Sequence, residues 1–477
     1  MSEPRDVEHS VLIDVQPGSE GRVRPKRPVD KTFRRYDQDQ PMLLAPDVRD
    51  WLPAEDPARW VDDLVEHGLD LAPFYDNYTE ARGAPPYDPR LMLKLLIYGY
   101  SYGITSSREL ERRCQHDVAF MFLTAQAAPD FVAIRRFRRR HLKGFTALFT
   151  QVLRLCARAG LVSLGKVALD GSKIRASASR HRAMSYDRMV RAETELAAEV
   201  EALLADAERT DEAEDAKCGD RRGDELPAEL RRRDNRLAVI GKAKADLEAE
   251  HAAKSRAKAE QAAAKRGADE TEQAAAGDEA EAAAVVPAKA QRSFTDPDAR
   301  IMKTSDGSFH YCYNAQTVVD EDSQVILSTT LVPSGADSPE LPGALVDLTE
   351  GLQAAGIEGT PDTLLADAGY FSEDNVKAVT EAGIDPLTAT GRQKHGEKAP
   401  AAPRGRIPKG LTPKQLMTRK LRKKKGAADY ARRKAIVEPA IGQMKVAQDA
   451  GQLRLVGLHN AQGEWTLRAL CPEFRSS

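Results

Sequence analysis

Three acids stand out by their surroundings. Asp170 follows the apolar run VAL in LVSLGKVALDGSKIRAS, Asp367 follows TLLA in TLLADAGY, and Glu438 lies in YARRKAIVEPAIGQMK. An open mixed sheet sets residues at the carboxyl ends of adjacent parallel strands side by side. Two acids that each close a short apolar run can therefore meet at one sheet edge, and a late helix packed on that sheet can add a third. Three carboxylates meeting there would bind Mg²⁺ or Mn²⁺, hard cations that prefer oxygen. Two such ions, about 3.5–4 Å apart, can activate an attacking oxygen and stabilise the leaving oxygen of a phosphodiester. Each acid also has a plainer reading. An Asp after an apolar run serves as a turn or cap residue, DGSK suits an Asx-turn, and a lone helical Glu is usually solvated.

Charge distribution bears on the same chemistry. The 477 residues carry 71 basic and 73 acidic side chains, a formal net charge of -2, which excludes a uniformly basic nucleic-acid coat. The sum hides a segregation. Residues 131–182 hold thirteen Lys or Arg and one acid, Asp170; residues 404–445 hold fourteen against Asp429 and Glu438. Residues 191–290 carry a net charge of about −8. Basic flanks around isolated acids would counter DNA phosphates near an otherwise repulsive cluster. Lys173 and Arg175 are phosphate contacts on this reading and solvated side chains on the plainer one.

The elements that must position the acids follow from periodicity. Residues 1–40 are polar and read as a loose tail. Asp88 and Pro89 open a helix with Leu91, Leu95, Tyr98 and Tyr102 at helical spacing, a second helix fits 106–123, and a third fits 130–160, stopped by Gly160. VALD reads as a buried strand with Asp170 at its end. Segments rich in Ala, Glu and Lys within 185–290 read as long exposed helices forming a hairpin, with AAAGDEAEAAAVVPAK as linker. FHYCYNAQTVVD and QVILSTTLV predict an antiparallel pair, a helix fits 340–354, and IDPLTAT fits a short strand. Residues 391–414 read as loop. Pro439 predicts that the last long helix starts or kinks there. Lys445, seven positions beyond Glu438, shares its helix face, and Val437, Ile441 and Met444 form the neighbouring apolar stripe.

Five widely spaced cysteines, Cys114, Cys156, Cys218, Cys312 and Cys471, draw neither a zinc pattern nor a disulfide framework. The N-terminus lacks the apolar run of a signal peptide, and no stretch reaches the ~18 apolar residues of a membrane span. A reducing cytoplasmic location, nucleoid-associated when DNA is bound, and no membrane partner are the expectations.

Around these acids the sequence resembles bacterial insertion-sequence DDE transposases of the group with a Tyr–(2)–Arg–(3)–Glu–(6)–Lys signature, and within it the type with a long insert after the first Asp. Tyr430 and Arg433 match the opening of the signature; Glu438 and Lys445 match its close, with four residues rather than three between Arg433 and Glu438. ADAGYFSEDN resembles the block around the second Asp and VALDGSKIRASAS that around the first. TDPDARIMKTSDGSFHYCYNAQTVVD resembles the entry into the strands after the insert. PYDPRLMLKLLIYGYSYGITSSRELERRC and DFVAIRRFRRRH resemble the helical N-terminal domain.

The resemblance implies an α/β ribonuclease-H-like catalytic domain, a mixed five-stranded sheet flanked by helices, with an all-helical N-terminal domain and a helical insertion. The expected organisation is a tail (1–40), a helical DNA-binding domain (41–160), a catalytic domain split into 161–184 and 292–450 by a charged insertion (185–291), and a closing segment (451–477). Asp170, Asp367 and Glu438 would be the catalytic, metal-binding acids, for two Mg²⁺ or Mn²⁺ ions. Lys173, Arg175, Arg135, Arg136, Arg139, Tyr430, Arg433 and Lys445 would contact nucleic acid. The partners would be double-stranded DNA, as terminal inverted repeats and target, and a second copy of the chain. The insertion has self-association, DNA contact or spacing as its candidate roles. Relatives that form a DNA hairpin use a Trp before the catalytic Glu; here Trp51, Trp60 and Trp465 all lie outside 367–438. A ribonuclease-H-like nuclease without strand transfer, and an inactive DNA-binding or scaffold protein, are the alternatives.

Overall fold

The computed structural model describes residues 47–78, 85–178, 182–218, 228–391, 402–408 and 410–471. The expected tail, 1–40, and much of the loop expected at 391–414 lie outside the described residues.

The chain begins with helices Val48–Trp51 (α1), Pro57–Asp63 (α2), Ala72–Tyr75 (α3), Pro89–Ser101 (α4), Ser107–His116 (α5), Val118–Leu123 (α6), Phe131–Arg140 (α7) and Leu142–Arg158 (α8). Asp88 caps α4 as its spacing predicts, accepting from the Arg90 N–H at 2.8 Å, with Pro89 in the first turn, where no intrahelical donor is needed. Two expected helices are each broken in two. At Asp117 the backbone turns extended, and the carboxylate accepts from the Ala119 N–H at 3.1 Å to start α6. His141 divides α7 from α8, its ring buried against Phe74 and Phe137. Arg138 turns inward from α7 and donates to the Tyr100 hydroxyl at 2.7 Å, the Thr105 carbonyl at 2.8 Å and the Ser107 hydroxyl. Its neighbours Arg135, Arg136 and Arg139 stay exposed.

The strands are Lys166–Arg175 (β1), Ala183–Ser185 (β2), Gln291–Ser293 (β3), Arg300–Lys303 (β4), Phe309–Asp320 (β5), Ile326–Val332 (β6), Thr363–Ala366 (β7) and Asp385–Thr388 (β8). β1 runs antiparallel to β5 and parallel to β7, and β7 runs parallel to β8. The free edge of β5 is shared: its first residues pair with β4 and its later ones with β6. Among the described residues the sheet thus has six strands rather than the expected five, because β5 is twelve residues long and outruns β6. Helices Leu341–Ala354 (α12) and Glu373–Glu381 (α13) follow β6 and β7, and Pro413–Arg422 (α14), Lys424–Ala447 (α15) and Leu458–Leu470 (α16) follow β8. This mixed sheet between helices is consistent with a ribonuclease-H-like core.

Alternation along β1 sorts its side chains onto two cores. Val167 and Leu169 join Leu345, Leu348 and Leu352 of α12 and the N-terminal helices. Ala168 and Ile174 join Val437, Ile441 and Met444 of α15 and Trp465 of α16. The stripe read from the sequence of α15 therefore does face the sheet. Pro439 neither starts nor ends that helix, which continues through it. The Ala435 carbonyl, which a residue at 439 would otherwise satisfy, accepts from Gln324 Nε2 at 3.1 Å instead.

Between β2 and β3 the helical insertion rises as Tyr186–Cys218 (α9), Ala228–Lys265 (α10) and Glu270–Ala282 (α11). A thin core of Met189, Leu196, Ile240, Ala243, Leu247 and Val286 holds it. The segment read as linker is in large part α11, started by a reciprocal capping box between Asp269 and Glu272. Glu250 of α10 accepts from Arg292 at 3.1 Å and from Arg300, tying the insertion to β3 and β4.

Candidate functional site

β1 does not stop at Asp170. β5 pairs with it beyond the acid, from Asp170 opposite Thr317 to Arg175 opposite Cys312, so Asp170 is mid-strand and the DGSK segment is not a turn. Asp367 does close its strand: its Oδ1 accepts from the Gly369 N–H at 2.8 Å and caps the short turn Ala368–Tyr370. Leu169 pairs with Ala366, so Asp170 and Asp367 are the next residues on neighbouring parallel strands, whose backbones run about 4.8 Å apart.

The third element at this pair is α15. Arg433, 9% exposed, points its guanidinium at Asp170, Nη1 to Oδ1 3.6 Å. Its Nε and Nη1 have no hydrogen-bond partner among the described residues. Tyr430, one turn earlier, lies near Arg433 and both acids; burial raises its hydroxyl pKa, with Arg433 pulling the other way. Burial also pushes the Asp170 carboxyl up to about 6, Arg433 opposing, while Asp367 and Asp337 add their negative charge to the rise. A carboxyl so placed binds a proton more tightly than an exposed one until a cation compensates its charge.

Glu438 is elsewhere. Its side chain is 60% exposed and faces Lys434, Oε1 to Nζ 3.8 Å. It lies five positions beyond Arg433, about 140° around the helix, so an inward Arg433 leaves it on the outer flank. Lys445 lies partly buried near Asp170, Lys173 and Cys312, and burial lowers its pKa. It lines a cleft of about 360 Å³ together with Lys173, Arg175, Thr304, Asp306 and Gln452. Within it Arg175 pairs with Asp306 at 3.0 Å and Lys173 with Asp337 at 3.0 Å. Arg135, Arg136 and Arg139 sit apart on α7. A larger cavity of about 630 Å³, between α8 and the 355–362 segment, contains none of these residues.

Three further residues surround the acids without having been expected. Asp337 accepts from Lys173 and from Asn314 Nδ2 at 2.7 Å. Gln316 Oε1 accepts from the buried Tyr370 hydroxyl. Asn314 and Gln316 did carry a signal: they are two amides on one face of β5, in a strand buried from Tyr311 to Asp320. Asp337 carried none, since it lies in a polar loop that only the topology brings to β1.

Asp170 and Asp367 offer the hard oxygen donors a divalent cation takes, and Gly171, with no side chain, lets Asp337 approach next to them. Among the described residues, no three His, Cys, Asp or Glu side chains are gathered so as to hold a metal ion. Nor is any helix there long and apolar enough to cross a membrane.

Comparison with protein families finds two matches: residues 46–140 with the Transposase domain (DUF772), and residues 285–471 with the Transposase DDE domain. Together they span more than half of the chain; Asp367 and Glu438 fall inside the second, and Asp170 between the two. No curated protein and no solved structure gives a match.

Proposed function

We propose that this chain, a member of the DDE-type transposase domain family, is the transposase of an insertion sequence: it binds terminal inverted repeats, cuts a DNA strand and joins the freed 3′-OH to target DNA. The observation that carries the reading is the pairing of Asp170 and Asp367 on adjacent parallel strands, with the buried Arg433 aimed at them from α15. An acid pair alone serves many purposes. An acid pair facing an arginine with unused donors suits a centre where an anionic phosphoryl group must enter.

Asp170 and Asp367 would hold Mg²⁺ or Mn²⁺; Glu438, exposed on the outer flank of α15, would have to turn inward to join them. When bound, such ions supply Lewis-acid stabilisation of the attacking and leaving oxygens. The chain's own groups supply the rest. Arg433 presents its free donors where negative charge grows on the phosphoryl oxygens. Lys173, Arg175 and Lys445 line the cleft in which the flanking backbone would be held, and Tyr430 would contact the DNA beside Arg433. Arg135, Arg136 and Arg139 would take phosphates of the repeat along α7. In the first step water attacks the phosphodiester, leaving a 5′-phosphate and a 3′-OH. In the second that hydroxyl attacks a target phosphodiester, a new ester forms, and the target's own 3′-oxygen leaves with the proton. Joining two ends calls for two copies of the chain in the DNA complex.

The test is the purified protein with Mg²⁺ and DNA carrying the gene's own flanks. Cut and joined products are expected from the wild type, and neither from Asp367→Asn, which should still bind the flanks. Cutting without joining would favour a nuclease of the same fold; unchanged cutting by Asp367→Asn would overturn the site.

A further inference from the structure

Asp337 reaches the acid pair from the other face of the sheet. It closes the loop after β6, just before the short turn Ser338–Glu340. On β1, Asp170 faces α15, whereas Gly171 and Lys173 face α12. Because Gly171 has no side chain, Asp337 occupies the space beneath it. A Cβ at 171 would lie 2.5 Å from Asp337 Oδ1 and 3.0 Å from the Tyr370 hydroxyl. Gly369 opens a second gap: a Cβ there would lie 3.0 Å from Asp367 Oδ1 and 3.3 Å from Asp337 Oδ2. Two glycines thus bring this carboxylate against a site whose acids belong to other strands.

The carboxylate is held in place. Its Oδ1 accepts from Lys173 Nζ at 3.0 Å, Asn314 Nδ2 at 2.7 Å and Gln316 Nε2 at 3.5 Å. Asn314 is fully buried, and its own Oδ1, which has no hydrogen-bond partner among the described residues, lies 3.0 Å from the same Gly171 point. The amide is therefore oriented by Asp337 at the expense of one acceptor, a cost that a merely apolar packing position would not carry. Lys173 gains most. A lysine loses rotamer freedom when fixed, and the ion pair fixes it before any DNA arrives.

We propose that Asp337 is a positioning residue for the phosphodiester reaction: beside the gap at Gly171 it pins the Lys173 ammonium in the cleft that Lys173 shares with Arg175 and Lys445. The inference rests on the reading of the site given above. Its signature is a split that a structural role would not produce. Asp337 adds negative charge where a polyanion must bind, so removing it should leave DNA affinity equal or higher while slowing the chemical step.

The experiment is a double-mutant cycle on the full chain with Asp337→Asn and Lys173→Met, read as cutting rate under saturating DNA, as affinity for DNA carrying the flanks, and as Mn²⁺ binding to the DNA-free protein. Each single variant is expected to cut about tenfold or more slowly, and the double variant no more slowly than Lys173→Met, because the pair acts as a unit. Asp337→Asn should bind DNA at least as tightly as the wild type and bind Mn²⁺ equally well. Multiplying losses would overturn the pin, as would a parallel loss of DNA affinity. Loss of Mn²⁺ binding in Asp337→Asn alone would make the residue a metal ligand instead. The affinity arm stands apart from cutting: a wild type that never cuts would refute the proposed function, while the effect of Lys173→Met on affinity must still differ between the wild-type and Asp337→Asn backgrounds. Equal effects there would refute the pin.

Discussion

Two buried arginines, on neighbouring helices of one core, are treated in opposite ways. Arg468 of α16 is fully buried and saturated: it donates to Glu464 Oε1 at 2.9 Å, to the Gln448 carbonyl at 2.9 Å and to the Gln452 carbonyl at 3.3 Å. Glu464 is completed in turn by the Arg454 and Leu455 N–H groups, at 2.9 and 2.8 Å. Arg433 of α15 is nearly as buried, yet two of its nitrogens have no partner among the described residues, and its acid stands at 3.6 Å, beyond a normal hydrogen bond. A buried charge with unfilled donors is costly to the fold. The saturated arginine explains itself as structure. The unsaturated one makes sense where an anion completes it.

The sharpest break of this comparison is chemical. Asp170→Asn and Asp367→Asn should each lower cutting by about a thousandfold or more, a loss of some 4 kcal/mol in the transition state, with DNA binding kept, as read by gel shift beside a cleavage gel. Next comes stability. Glu464→Gln strips a saturated pair of its charge and should cost on the order of 3–5 kcal/mol in denaturant unfolding. Arg433→Met, which leaves Asp170 able to take up a proton in place of its cation, should cost less than Glu464→Gln by the same measurement while cutting still falls. Equal costs would erase the distinction. A third test moves away from the core. Replacing Arg135, Arg136 and Arg139 together by Gln should lower the slope of log affinity against log salt by about 2–3 and leave the cutting of bound DNA unchanged.

The smallest effect is in pH dependence. With its carboxyl raised to about 6 in the fold from an ordinary 3.8, Asp170 holds a proton in the folded chain that the unfolded chain gives up. Its contribution to stability is full below pH ~4 and is lost as pH rises through about 6. The metal-free wild type should therefore lose on the order of 1–3 kcal/mol relative to Asp170→Asn between pH 4 and 7, measured by unfolding midpoints. A difference constant with pH would contradict the environment described for Asp170.

Much of this site was legible in the sequence because apolar runs ending in an acid mark buried strands. Asp170 and Asp367 were found that way, and the helical stripe of Val437, Ile441 and Met444 placed α15 on the sheet. What could not be read was set by partners distant in the chain. β1 runs on past Asp170 because β5 is long enough to pair with it, and α15 passes Pro439 because Gln324 supplies the missing donor. The break at Asp117 came from a side chain competing for the backbone, a choice that helical periodicity does not record. Asp337 belongs to the site only because two glycines far apart in the chain, Gly171 and Gly369, open onto the same loop.

The most direct test of the account is cutting and joining by wild type and Asp367→Asn, side by side, on DNA bearing the gene's own flanks with Mg²⁺. The account predicts cut and strand-joined products from the wild type, and a variant that retains the flanks on a gel yet yields neither product. Equal cutting by the two proteins would contradict it.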